Sequence, residues 1–134
     1  MNQSQSKFTI VCLFVVIAIF LPLSCSEEKV ITPTAETVYY SDVKFILDAK
    51  CATSDCHAGA KPAAGLGLES YNQILTGSDH GPVVVNGKAE KSSLYRTMAW
   101  SSEPVMPYDE KLDQEFIDEL QKWIDGGLFE SRQD

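Results

Sequence analysis

Basic side chains are scarce: 11 Lys and Arg stand against 19 Asp and Glu in 134 residues, a net charge of −8. Neutralising a phosphate backbone takes stripes of Lys and Arg. The sequence has none, so nucleic acid is excluded as a partner and basic ones are favoured. Long apolar runs are missing too, since the most hydrophobic stretch, Phe8 to Leu23, falls short of the ~20 residues that a membrane span requires. No Ser-His-Asp set, no periodically paired carboxylates and no phosphate-cradling glycine loop occur. The acidic residues near the C-terminus read as the solvated face of a helix.

What is present begins with processing signals. Lys7 followed by the apolar run Phe8 to Leu23 reads as a secretory signal over residues 1–24, which carries Cys12 away with it. Cys25 follows directly in Leu-Pro-Leu-Ser-Cys, which resembles the lipobox of bacterial lipoproteins. It is therefore expected to become a lipidated N-terminus and to anchor the protein to the membrane. Ser26-Glu27-Glu28-Lys29 resembles the acidic export tag of Bacteroidetes surface lipoproteins. Residues 25–38 are polar with no helical period and read as a flexible tether. A single domain is expected over residues 39–129, with 130–134 as a tail. The 44% hydrophobic content includes the signal, so the mature core is modest for its size and calls for a supplement.

Three helices are expected. Ser41 can cap a segment in which Val43, Ile46 and Leu47 share a face that leads to Cys51. Ser70 and Gln73 have capping-box spacing ahead of Tyr71, Ile74 and Leu75, with Gly77 as the stop. Asp113 can cap a helix whose Phe116, Ile117, Leu120, Trp123 and Ile124 form one stripe before Gly126-Gly127. A fourth is expected over Ala89 to Met98, and Val83-Val84-Val85 suggests a short extended piece.

The chemistry concentrates in Cys51-Ala-Thr-Ser-Asp-Cys56-His57. Two thiols close in sequence, with a His directly after the second, are what covalent haem attachment requires. The thiols add across two vinyl groups and the imidazole then lies under the iron. The usual spacing leaves two residues between the cysteines; here there are four, so the loop must bulge. Other readings stand beside this one. A Cys51–Cys56 disulfide suits an exported protein and would make the chain a disulfide-stapled surface binding module without haem. A thioredoxin-type pair needs different spacing and a βαβ context. Zinc requires closure by four ligands, and only His80 remains as a further N or S donor.

At these residues the sequence resembles the planctomycete-type cytochrome c domain in the form found in Bacteroidetes lipoproteins. The resemblance runs from CATSDCHAG at 51–59 through Gly65-Leu66-Gly-Leu68, Tyr71, Leu75-Thr-Gly77 and Gly81-Pro82-Val83-Val84-Val85. It continues through Gly87, Ser92-Ser93-Leu94-Tyr95, Met106-Pro107 and Trp123-Ile124-Asp-Gly126-Gly127. It implies an all-α, class I cytochrome c-like fold whose first and last helices cross, with loops wrapped around a haem-centred core. It also implies one covalent haem c on Cys51 and Cys56, with His57 as an axial ligand.

A second axial ligand comes from Met106, Met98 or His80. Met106 lies in Pro104-Val-Met-Pro, an extended segment off any apolar stripe, and is the expected ligand. Met98 keeps helical spacing from Leu94 and reads as core, and His80 beside Gly81 reads as a turn residue. His plus Met closes both axial positions and suits one-electron transfer to a redox partner with a basic docking patch, with no catalysed reaction. A haem sensor or peroxidase-like protein with a labile sixth ligand is the other haem reading.

Overall fold

The computed structural model describes residues 31–132, so the signal segment, Cys12, Cys25 and the first part of the tether lie outside the described residues. Four α-helices carry the structure: α1 (Tyr40–Lys50), α2 (Tyr71–Thr76), α3 (Ser93–Met98) and α4 (Gln114–Asp125). Single 3-10 turns occupy Ala63–Gly65 and Ala89–Lys91. Among the described residues there is no strand, only an isolated bridge between Ser78 and Gly81, so the fold is all-α. None of their helices is long and apolar enough to cross a membrane.

Helix α1 begins two residues before the sequence suggests. Its N-cap is Tyr39, not Ser41, because the carboxylate of Asp42 accepts a 2.8 Å bond from the Tyr39 N–H and satisfies the first orphan donor. Helix α2 has the expected reciprocal box: the Gln73 N–H donates to Ser70 Oγ at 3.3 Å and the Ser70 N–H to Gln73 Oε1 at 3.0 Å. Gly77 closes it at φ 86°, a conformation that L side chains rarely adopt. The expected helix over Ala89 to Met98 is broken at Ser92. This fully buried hydroxyl accepts from the Val85 N–H at 2.8 Å and donates to the Lys88 carbonyl at 3.0 Å. Such side-chain bonds to the backbone compete with a helical ladder. The Val83–Val85 stretch forms no strand: the Val83 carbonyl instead accepts from the Leu94 N–H at 3.0 Å, and Val83 and Val84 are buried.

The core forms where α1 packs against α4, with α3 on another side of α4. Val43, Ile46 and Leu47 of α1 and Ile117, Leu120, Trp123 and Ile124 of α4 are all buried, as a period of 3.6 demands of two helices facing one core. Tyr40, Tyr71 and Trp123 form an aromatic cluster with ring centroids 5.7 to 6.5 Å apart. The C-terminal segment is sewn onto it. Trp123 Nε1 donates to the Phe129 carbonyl at 3.0 Å, and the Tyr71 hydroxyl donates to the Leu128 carbonyl at 2.7 Å. At the other end of the described chain, Ile31 lies against Gly87 and Gly127.

Candidate functional site

Cys51 is the C-cap of α1, its N–H bonded to the Leu47 carbonyl at 2.9 Å. The same apolar face that buries Leu47 therefore buries the thiol, which is 7% exposed. Burial, reinforced by the neighbouring Cys56 sulfur, pushes its pKa up to about 11. Cys56 is exposed, and both cysteines are free rather than joined. The four intervening residues are taken up by a turn in which the Cys56 N–H meets the Thr53 carbonyl at 3.0 Å. This folding back brings the His57 N–H to within 3.1 Å of the Cys51 carbonyl. The bulge expected of the long spacer is thus a hydrogen-bonded loop closed on itself.

His57 is half-buried, and its ring is oriented by the backbone. Nδ1 lies 3.1 Å from the Leu66 carbonyl oxygen. A carbonyl only accepts, so Nδ1 carries the proton and donates, and the Nε2 lone pair is available to a metal. Leu68 completes the clamp by donating its N–H to the His57 carbonyl at 2.9 Å.

Two adjoining cavities open around these groups. The larger, about 570 Å³, is lined by Cys51, Cys56, His57 and Met106, with Asp55, Tyr108, Asp109 and Glu110 among its other residues. The smaller, about 250 Å³, is lined by Cys51, His57, Leu68, Leu94, Met98 and Met106, and by Ser78, His80 and Ser93. Met106 reaches this position because its N–H is bonded to the Thr97 carbonyl at 3.0 Å, which ties its loop to α3. Met98 is 1% exposed within the apolar core and lines only the smaller cavity. His80 sits exposed in the turn bridged by Ser78 and Gly81.

Of the residues singled out in the sequence, the structure gathers Cys51, Cys56, His57 and Met106 on one cavity, and Met98 and His80 on its neighbour. The Leu66 and Thr97 carbonyls escaped sequence reasoning, because a main-chain acceptor leaves no mark in residue type.

The donor set fits a covalently held haem. It offers two thiols, an imidazole whose outer nitrogen is free to coordinate and a thioether lining one cavity of a size common for cofactor sites, ~300–1,000 Å³, and aliphatic walls from Leu66, Leu68, Val83 and Leu94 in the adjoining one. It suits zinc badly: among the described residues no three His, Cys, Asp or Glu side chains converge to hold a metal ion.

Residues 54–110 match the model of a protein family described as Planctomycete cytochrome C. The matched stretch contains Cys56, His57, His80, Met98 and Met106, and Cys51 lies just ahead of it. No curated protein and no solved structure matches the chain. The match takes in most of the thiol–imidazole loop and of the residues that line both cavities, and it agrees with the chemistry their donor atoms offer: over residues 54–110 the chain is similar to planctomycete-type cytochrome c domains.

Proposed function

We propose that the protein is a c-type cytochrome with a single haem, built on a class I cytochrome c fold, that carries single electrons in the cell envelope and catalyses no reaction of its own. The observation that carries this reading is the shared lining of one cavity by Cys51, Cys56, His57 and Met106, with His57 Nδ1 committed to the Leu66 carbonyl. Cys51 and Cys56 would hold the haem as thioethers, and His57 Nε2 and the Met106 sulfur would ligate its iron. Bound there, the haem supplies a reversible one-electron couple, and a thioether axial ligand raises its potential relative to a second imidazole. Leu68, Leu94 and Met98 would give the bound haem apolar contacts.

With His57 and Met106 both on the iron, no place would be left for substrate. Carbon monoxide added to the reduced protein separates this closed carrier from a sensor or peroxidase-like protein, which would bind it readily.

The partner is expected to present a basic patch. The net charge is −8, and Asp55, Asp109 and Glu110 line the larger cavity, so encounter is steered by charge and weakened by salt. Export and a diacylglyceryl anchor on Cys25 rest on the apolar run and the cysteine that follows it.

The deciding experiment is an absorption spectrum together with an intact mass of protein made with a cytochrome c maturation system. A c-type spectrum and a mass increase of one haem support the reading. A colourless protein, or haem that extracts into acidified butanone, overturns it.

A further inference from the structure

We infer that the Ser78–Gly81 turn, with His80 at its tip, anchors the carboxylate edge of the haem, so that His80 serves as a positioning residue and not as an iron ligand. The inference rests on the haem reading above and adds the direction in which the macrocycle lies.

The direction comes from the order of residues along the two cavities. Cys56 lines only the larger one, Cys51, His57 and Met106 line both, and Ser78, His80 and Ser93 line only the smaller. Haem carries the same order in its own structure: a vinyl edge, the iron at the centre, and two carboxylates on the edge away from the vinyls. With the vinyl edge at the cysteines and the iron between His57 and Met106, the carboxylates fall at the turn.

Charge points the same way. The Cys56 end is lined by Asp55, Asp109 and Glu110, and its one cation there, Lys50, is already paired with Glu110. Two carboxylates placed at that end would meet like charge. The smaller cavity has no acidic residue in its lining. Asp79, the nearest carboxylate in the turn, lies against Gly65, where an added Cβ would collide with it.

Donors are available at this end. The His80 ring takes part in no hydrogen bond among the described residues, while its backbone N–H is held by Ser78 Oγ at 3.2 Å. The Ser93 hydroxyl reaches the Val83 carbonyl only at 3.5 Å, a bond at the limit of usefulness that a carboxylate would readily replace.

The test uses the holoprotein in its diamagnetic ferrous state. Nuclear Overhauser contacts are expected between the propionate methylene protons of the haem and the His80 ring, with Ser93 close by. In His80→Ala those contacts are lost and the propionate resonances shift, while the Met106 methyl signal on the iron stays in place. His80→Gln, which keeps an N–H donor, restores the propionate shifts in part. Because His80 is exposed, both variants are expected to fold. Propionate contacts to Tyr108 instead would overturn the anchor and leave the haem reading intact. Loss of an iron ligand in His80→Ala would overturn it by making His80 a ligand. A protein that binds no haem would overturn both readings.

Discussion

The imidazole of His57 is held by a residue nine positions along the chain: its Nδ1 lies 3.1 Å from the carbonyl oxygen of Leu66. This bond selects the tautomer with a free Nε2, and it makes the loop between Cys56 and Leu68 part of the candidate iron site. The Ala63 N–H, bonded to the Cys56 carbonyl at 2.7 Å, and the Leu68 N–H, bonded to the His57 carbonyl, close the same loop. The ring is therefore positioned before any metal binds, which reduces the ordering that coordination must impose.

The two thiols should differ in reactivity in protein made without haem. Cys51 is buried with its pKa pushed up to about 11, whereas Cys56 is exposed. At pH 8 iodoacetamide should alkylate Cys56 well before Cys51, as read by peptide mass spectrometry. Equal rates would contradict the burial of Cys51. A sign follows for stability as well. The unfolded thiol ionises near 9.0 and the folded one near 11, so the unfolded state binds fewer protons in between. Stability of the haem-free protein should fall as pH rises from 9 to 11, by roughly 2–3 kcal/mol at ~1.4 kcal/mol per unit. Cys51→Ala should remove that slope, and so should thioether formation.

The two methionines should separate by spectrum and by stability. Met106→Ala should abolish the weak sulfur-to-iron charge-transfer band of the ferric protein, lower the potential and admit carbon monoxide, because a thioether stabilises ferrous iron better than water or hydroxide does. Met98 is 1% exposed, and Met98→Ala should keep the band while costing ~2–5 kcal/mol in chemical denaturation. A band lost with Met98 and kept without Met106 would reverse the two roles.

Gly77→Ala should destabilise the fold near the smaller cavity. Gly77 has φ 86° and ψ −153°, a region nearly closed to other residues, and its added Cβ would stand 2.6 Å from the Gly81 carbonyl oxygen. Strain of this kind costs ~1–3 kcal/mol, and the clash with backbone adds to it. A drop in thermal midpoint of several degrees is expected. A Tm equal to that of the wild type would mean that the turn before His80 is not held as described.

Cys25→Ala should move the protein from the membrane fraction to the soluble one. Acyl chains contribute ~0.8 kcal/mol per buried methylene, so two or three of them hold firmly. Membrane retention of the Ala variant would remove lipidation at Cys25 from the account.

Much of the local structure follows from the sequence alone. The α4 stripe, Ile117, Leu120, Trp123 and Ile124, is buried as its spacing predicts, with Phe116 at its edge, half-buried and packed edge-to-face with Phe45, centroids 5.3 Å apart. The Ser70–Gln73 box and the Gly77 stop are equally local, since every atom involved lies within one or two helical turns. Cys51, Cys56 and His57 stand out for the same reason: their proximity is nearly covalent. Tertiary structure decided what depends on distant partners. Ser41 gave way to Tyr39 as the cap of α1, where the Tyr40 N–H also bonds to the Phe129 carbonyl at 2.8 Å. Ser92 broke a helix that periodicity favours because its buried hydroxyl serves Val85 and Lys88. Met106 meets His57 across a cavity only through the hold of the Thr97 carbonyl, and the ring of His57 takes its orientation from the Leu66 carbonyl. Main-chain carbonyls are the same at every position, so no residue type could mark these two, and only the folded path of the backbone selects them.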